Sequence, residues 1–176
     1  MHIRPERKEE FPQIYTLVEE AFKTAKVADG DEQDFVDMLR AGDKYVPELA
    51  LVAEEDGELI GHIMLTEAMV RDSGGSETPV LLLAPVSVAL GRRSRGVGGT
   101  LIEESFRRAR EMGYRAVFLL GDPAYYNRFG FRPADDFGIR YHVDVPAEYF
   151  LGIELVPDGL DGVTGIFVDD YVPPEK

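Results

Sequence analysis

The chain contains no cysteine, which excludes disulfides, thiolate metal sites and a cysteine nucleophile and fits a cytoplasmic protein. Histidine is scarce as well. His2, His62 and His142 stand far apart and suggest no metal site. Basic residues are outnumbered, 19 Lys and Arg against 33 Asp and Glu, for a formal net charge of −14. That balance argues against a nucleic acid or an anionic membrane as partner, since both need a basic surface. Its first meaning is solubility, although it would also favour a cationic substrate such as an amine. No uninterrupted apolar run approaches the ~20 residues that span a bilayer. Met1-His2-Ile3-Arg4-Pro5 carries charge where a signal peptide needs an apolar core.

No internal repeat, low-complexity stretch or linker interrupts the 176 residues, so a single domain over 1–176 is expected. With 44% hydrophobic and 30% charged residues the composition is that of an ordinary soluble globular protein, and the order of elements along the chain reads as one α/β domain. His2 to Arg4 reads as a short strand. Phe11, Ile14, Leu17, Val18, Ala21 and Phe22 then recur at the spacing of an amphipathic helix, and a second helix is expected from Asp31 to Arg40. Leu49 to Glu54 and Glu58 to Glu67 form a strand pair around Asp56-Gly57, a strong hairpin signal. Pro79 to Leu90 is almost wholly apolar, as suits a strand covered on both faces. A helix is expected over Leu101 to Met112, capped by Gly113, then a buried strand from Ala116 to Leu120 and one short helix from Ala124 to Phe129. Tyr149 to Val156 and Val163 to Val168 suggest a closing hairpin around Pro157-Asp158-Gly159, and Pro173 to Lys176 a frayed tail.

The most informative segment is Gly91-Arg92-Arg93-Ser94-Arg95-Gly96-Val97-Gly98-Gly99, between an apolar strand and the clearest helix. The first turn of a helix presents unpaired N–H groups and the positive end of its dipole, which favours an anion. Glycines let backbone approach a phosphate closely. Three arginines cluster here in an otherwise acidic chain. Gly91 and Gly96 have the spacing of a Walker A loop, but Val97 stands where its lysine belongs; the dinucleotide fingerprint requires a glycine at the position of Leu101. Arg93, Gly96 and Gly98 instead meet the pattern Arg/Gln-x-x-Gly-x-Gly/Ala.

That pattern, with Leu83-Ala84-Pro85-Val86-Ser87-Val88 before it and Ala124-Tyr125-Tyr126-Asn127-Arg128-Phe129-Gly130-Phe131 after it, resembles the GCN5-related N-acetyltransferases (GNAT), and the C-terminal stretch from Tyr149-Phe150-Leu151-Gly152-Ile153-Glu154-Leu155 to Gly165-Ile166-Phe167-Val168 resembles a bacterial branch of them. The likeness spans roughly Leu49 to Phe131. It implies a central, mostly antiparallel, splayed sheet with strands 4 and 5 parallel and helices flanking it. It implies acetyl-CoA as acyl donor, no metal, and an amine acceptor on a small molecule or protein. The backbones of Val86 and Val88, beside Ser87, would hold the acyl and pantetheine groups. Arg93, Ser94, Arg95, Gly96, Val97, Gly98 and Gly99 would cradle the pyrophosphate, with Tyr125 as a cofactor-wall candidate. Tyr126 matches the family tyrosine that protonates the departing thiolate, a role suited to a phenol with a pKa near ~10.

The base is less defined. His62 and Glu67 lie on the third strand, five residues apart and so on opposite faces; either could act directly or through water. Asp29, Asp31, Glu32, Asp34, Asp135, Asp136, Asp169 and Asp170 lie in the regions that face substrate in this family, though acidic runs are usually solvated surface. The alternatives are a non-catalytic acyl-CoA-binding or sensing module, and more remotely a nucleotide-binding α/β domain. A monomer and a homodimer both fit.

Overall fold

The structure is a computed structural model that describes residues 1–25 and 28–170. The expected tail, Pro173 to Lys176, lies outside the described residues. The chain forms two compact units, one of Met1–Thr66 with Leu83–Met112, the other of Glu67–Leu82 with Gly113–Lys176. Two long strands contribute one end to each.

In the first unit, β1 (His2–Pro5) pairs antiparallel with β2 (Tyr45–Glu55), and β2 with β3 (Glu58–Arg71). The next strand in order is β4 (Glu77–Val88). Asp56 and Gly57 both take positive φ, 52° and 78°, as a two-residue hairpin turn requires. β2 starts at Tyr45 rather than Leu49 because the ladder slips between Tyr45 and Ala50, beside Pro47, which has no N–H to donate. The helices α1 (Phe11–Phe22) and α2 (Glu32–Ala41) cover one face. Ile14, Leu17 and Val18 of α1, at helical spacing, pack with Val36 and Leu39 onto Ala50, Val52, Met64 and Ala84. The other face belongs to α3 (Val97–Glu111): a Cβ on Gly61 would meet Leu101 Cδ1 at 2.9 Å and Val97 Cγ1 at 3.0 Å. Gly113, just past α3, has φ 93°, the left-handed conformation of a helix C-terminal glycine.

In the second unit, β5 (Ala116–Leu120) pairs parallel with β4 at only two positions, Leu81–Val117 and Leu82–Phe118. On its other edge it pairs antiparallel with β8 (Phe150–Glu154), which also takes β6 (Arg132–Pro133). β9 (Gly165–Val168) runs antiparallel to the end of β3 and parallel to β7 (Ile139–Tyr141). The expected hairpin between the last two strands is therefore absent. β8 has both edges occupied by β5 and β6, and residues 156–163 fold into successive tight turns closed by Gly159 N–H to Val156 O and Val163 N–H to Leu160 O. β3 runs on to Arg71 because β9 pairs with Met69, Val70 and Arg71. The expected helix after Asp122 is two pieces, α4 (Pro123–Tyr126) and a 3-10 turn, Asn127–Phe129. Phe118, Phe150 and Phe167 meet at ring separations of 5.1–5.7 Å and fill this core.

One buried polar group ties four elements of the first unit together. The side chain of Glu6, just after β1, is fully buried and accepts from Arg40 of α2 at 2.7 and 2.9 Å, Tyr45 of β2 at 2.9 Å, and His62 Nε2 of β3 at 2.8 Å. Burial alone would raise its pKa. The bonds from His62 and Arg40 outweigh that and hold it at about 2. Its contribution to stability is complete above the ordinary carboxyl value of 4.5 and lost as pH falls through about 2. Urea unfolding across that window is expected to show a shallower loss of stability for Glu6→Gln than for the unmodified chain. Equal slopes would contradict this account.

Candidate functional site

The start of α3 is built by backbone conformation. Ser94 and Gly96 take φ of 63° and 80°, so the chain turns sharply out of a 3-10 turn, Leu90–Arg92, into the helix. Gly96, the N-cap, supplies no side-chain cap; its carbonyl accepts from Thr100 N–H at 3.0 Å. The N–H groups of Val97, Gly98 and Gly99 precede the first such donor and have no intrahelical acceptor. This is an anion-accepting arrangement at the positive end of a 15-residue helix.

The three arginines divide their work. Arg93 donates to Ala21 O at 2.6 Å and Thr24 Oγ1 at 2.8 Å, holding the loop to the C-terminal end of α1. Arg92 pairs with Glu58 at 3.2 Å and Glu55 at 3.6 Å on the β2–β3 turn. Arg95 is exposed. The sequence pattern groups these cations as one polyanion site, whereas two of them already anchor the loop to its own unit.

Upstream, β4 changes character. Val80 to Ala84 are buried without a break, but Pro85, Val86 and Val88 are half-buried, and only Ser87 is buried again. Among the described residues Ser87 Oγ has no hydrogen-bond partner, and neither has Nδ1 of His62, whose Nε2 faces Glu6.

In the second unit, Asp122 caps α4 by accepting from Ala124 N–H at 2.9 Å, with Pro123 in the first turn. Tyr126 meets Tyr125 edge-on at 4.9 Å and Phe131 at 5.7 Å. Burial, then the proximity of Tyr125 and Asp122, push the Tyr126 phenol well above the ordinary tyrosine value, so it stays protonated throughout the neutral range. Burial also raises Tyr125, against the opposing effect of Arg128, which stacks on its ring at 4.8 Å. Glu67 accepts from Tyr114 Oη at 2.6 Å. Asp169, grouped by sequence with solvated acidic runs, is instead nearly buried and accepts from Tyr141 Oη and His142 Nε2 at 2.7–3.0 Å. Beside that pair lies an open cavity of about 810 Å³. Arg71 and Arg140 as well as Asp72, Asp135 and Asp144 line it, so its charge is mixed rather than uniformly acidic.

The short parallel β4–β5 pairing, the glycine turn into a helix and the tyrosine on a capped turn after β5 are each present, as the resemblance of the sequence implies. The acetyltransferase (GNAT) domain description matches residues 2–134. The uncharacterized N-acetyltransferase YjhQ of Escherichia coli K12 is 37% identical over 120 residues, 67% of this chain and 65% of YjhQ. YhbS of the same organism is 35% identical over 67% of this chain and 70% of YhbS. The chain thus spans just under two thirds of YjhQ. Among solved structures, E. coli YhbS in complex with CoA superposes with a TM-score of 0.82 at 31% identity, covering 94% of this chain and 87% of that one. A GNAT family acetyltransferase from Brucella melitensis in complex with acetyl-CoA gives 0.75 at 34% identity, covering 96% and 94%. The chain belongs to the GNAT acetyltransferase family.

Tyr126 owes its position partly to Gly121, where a Cβ would stand 2.7 Å from Tyr126 Cε2 and 3.1 Å from Leu119 Cδ1. Gly121→Ala is expected to displace the Tyr126 ring and to cost about 1–3 kcal/mol through overpacking. Denaturant unfolding checks the cost, and ring-current shifts of Phe131 check the displacement. A variant unchanged in both would show that the ring does not rest on Gly121.

Proposed function

We propose that the chain is a single GNAT domain that transfers an acetyl group from acetyl-CoA to a primary amine on a small molecule or protein. The observation that carries this reading is the start of α3, where left-handed Gly96 opens a helix whose first three backbone N–H groups have no intrahelical acceptor. Those groups, with Arg95, suit a pyrophosphate. The half-buried backbone of Val86 and Val88 suits the amides of a pantetheine arm, laid along β4 as an added strand would be. Both solved relatives described above carry CoA or acetyl-CoA. The proposed setting is the cytoplasm, in keeping with a chain free of cysteine.

In this reading the amine nitrogen attacks the thioester carbon, and the intermediate collapses with cleavage of the carbon–sulfur bond. Tyr126 gives its proton to the departing sulfur. A phenol raised by burial is a weak acid in water, but a thiolate forming in the same desolvated surroundings is raised with it, so the pair stays matched. A second reading, an acyl-CoA-binding module without turnover, draws support from the two base candidates, since Glu6 already holds His62 and Tyr114 already binds Glu67.

Release of CoA thiol from acetyl-CoA, measured over a panel of primary amines, separates the two. Turnover is expected with at least one amine, and Tyr126→Phe should lower kcat by about a hundredfold, within the range for general acids, at unchanged acetyl-CoA affinity. Binding without thiol release on any amine would favour the module. Full turnover in Tyr126→Phe would remove the general acid.

A further inference from the structure

Three strands of the second unit set one row of side chains in line. Arg71 of β3 is the ladder partner of Ile166 of β9, and Ile166 is the partner of Arg140 of β7. Ladder partners point to the same face, so the two arginines flank Ile166. With strands ~4.8 Å apart, their Cα atoms stand about 10 Å from each other. β9 comes close to β3 here because residue 165 is glycine; a Cβ there would collide with Arg71 O. Ile166, a large apolar side chain, is left 46% exposed. This row forms part of the wall of the open cavity of about 810 Å³, a size common among sites for small ligands. Every residue of that wall belongs to the second unit.

The charges of the cavity are not equally free. Among the described residues Arg140 is exposed and enters no ion pair, and Arg71 meets a carboxylate only at Glu77. That pairing, at 3.6 Å between half-exposed side chains, contributes little. Asp72 is occupied by its own turn, where Oδ1 accepts from Gly74 N–H and Ser76 N–H, each at 2.9 Å. Asp135 and Asp144 are exposed, and no cation pairs with them among the described residues. Two arginines and two aspartates are therefore left to meet a ligand. An anion alone would face both aspartates within a chain of net charge −14, and a cation alone would face both arginines. A ligand with one charge of each sign satisfies both pairs. Ile166, Val168 and Val145 supply apolar wall beside them. Tyr141 and His142, next to Arg140, both bind the nearly buried Asp169 at 2.7–3.0 Å, so this wall is ordered before a ligand enters.

We propose that this cavity binds a short peptide with both ends free: Arg71 and Arg140 take its carboxylate, Asp135 and Asp144 take its ammonium, and its apolar side chains rest on Ile166 and Val168. Arginine suits the carboxylate because its planar fork can bond both oxygens at once. No covalent bond forms or breaks in this site. It lies within the second unit and does not depend on the acetyl-transfer reading.

The test is methyl NMR of Ile166 and Val168 in the full chain, titrated with leucyl-leucine, N-acetyl-leucyl-leucine and leucyl-leucinamide. The first carries both charges, the second only the carboxylate, the third only the ammonium. Leucyl-leucine is expected to shift both residues and to saturate, with a Kd about tenfold below that of either single-charge peptide, the scale of one charged hydrogen bond. Arg140→Gln should remove most of its advantage over leucyl-leucinamide. The paired variant Asp135→Asn, Asp144→Asn should remove most of its advantage over the N-acetyl peptide. All three positions are exposed, so these variants keep the fold. Equal Kd values for the three peptides, an advantage that survives both variants, or Ile166 and Val168 unmoved by leucyl-leucine would each overturn the site.

Discussion

The first unit depends on a carboxylate out of reach of water. Glu6 leaves β1 with its N–H on Ala50 O at 2.9 Å, and its side chain then meets α2, β2 and β3 at once. An ion so placed costs several kcal/mol in lost hydration unless hydrogen bonds restore it. Here Arg40, Tyr45 and His62 do so, and Arg40 is itself held by Asp37 at 2.8 Å and over the Phe11 ring at 4.0 Å. Removing any one partner strands the others. The network thus fixes the helical layer against the sheet more strictly than apolar contact alone, which tolerates sliding.

The same unit carries the anion-accepting turn, and its arginines show how a loop can be both rigid and open. Arg93 closes on the end of α1 and Arg92 on the β2–β3 turn. With both ends of the loop held, Ser94 and Gly96 can keep left-handed φ, and the backbone donors ahead of Thr100 have no side-chain cap. The selectivity of such a site lies in backbone geometry more than in the number of cations.

What was legible in the sequence was local. The Asp56-Gly57 turn, the stripe of α3 and the Gly113 cap are each determined within a few residues, and each forms where the pattern indicates. The family motif was legible because loop, strand and tyrosine recur in a fixed order. Contacts between distant positions were not. His62 lies 56 residues from Glu6, and His142 lies 27 from Asp169, so neither partner could be read from spacing. The bond from Arg93 to Ala21 O, 72 residues away, was equally out of reach of spacing. The missing β8–β9 hairpin has the same origin: both segments carry strand-like patterns, but β5, β6, β3 and β7 compete for their edges.

The central claim is that the turn into α3 receives the pyrophosphate of an acyl-CoA. Titration calorimetry with acetyl-CoA, CoA and ATP, run side by side on the intact chain, tests it most directly. Binding of acetyl-CoA and CoA with no comparable binding of ATP is the predicted result. Tight binding of ATP with none of acetyl-CoA would contradict the account.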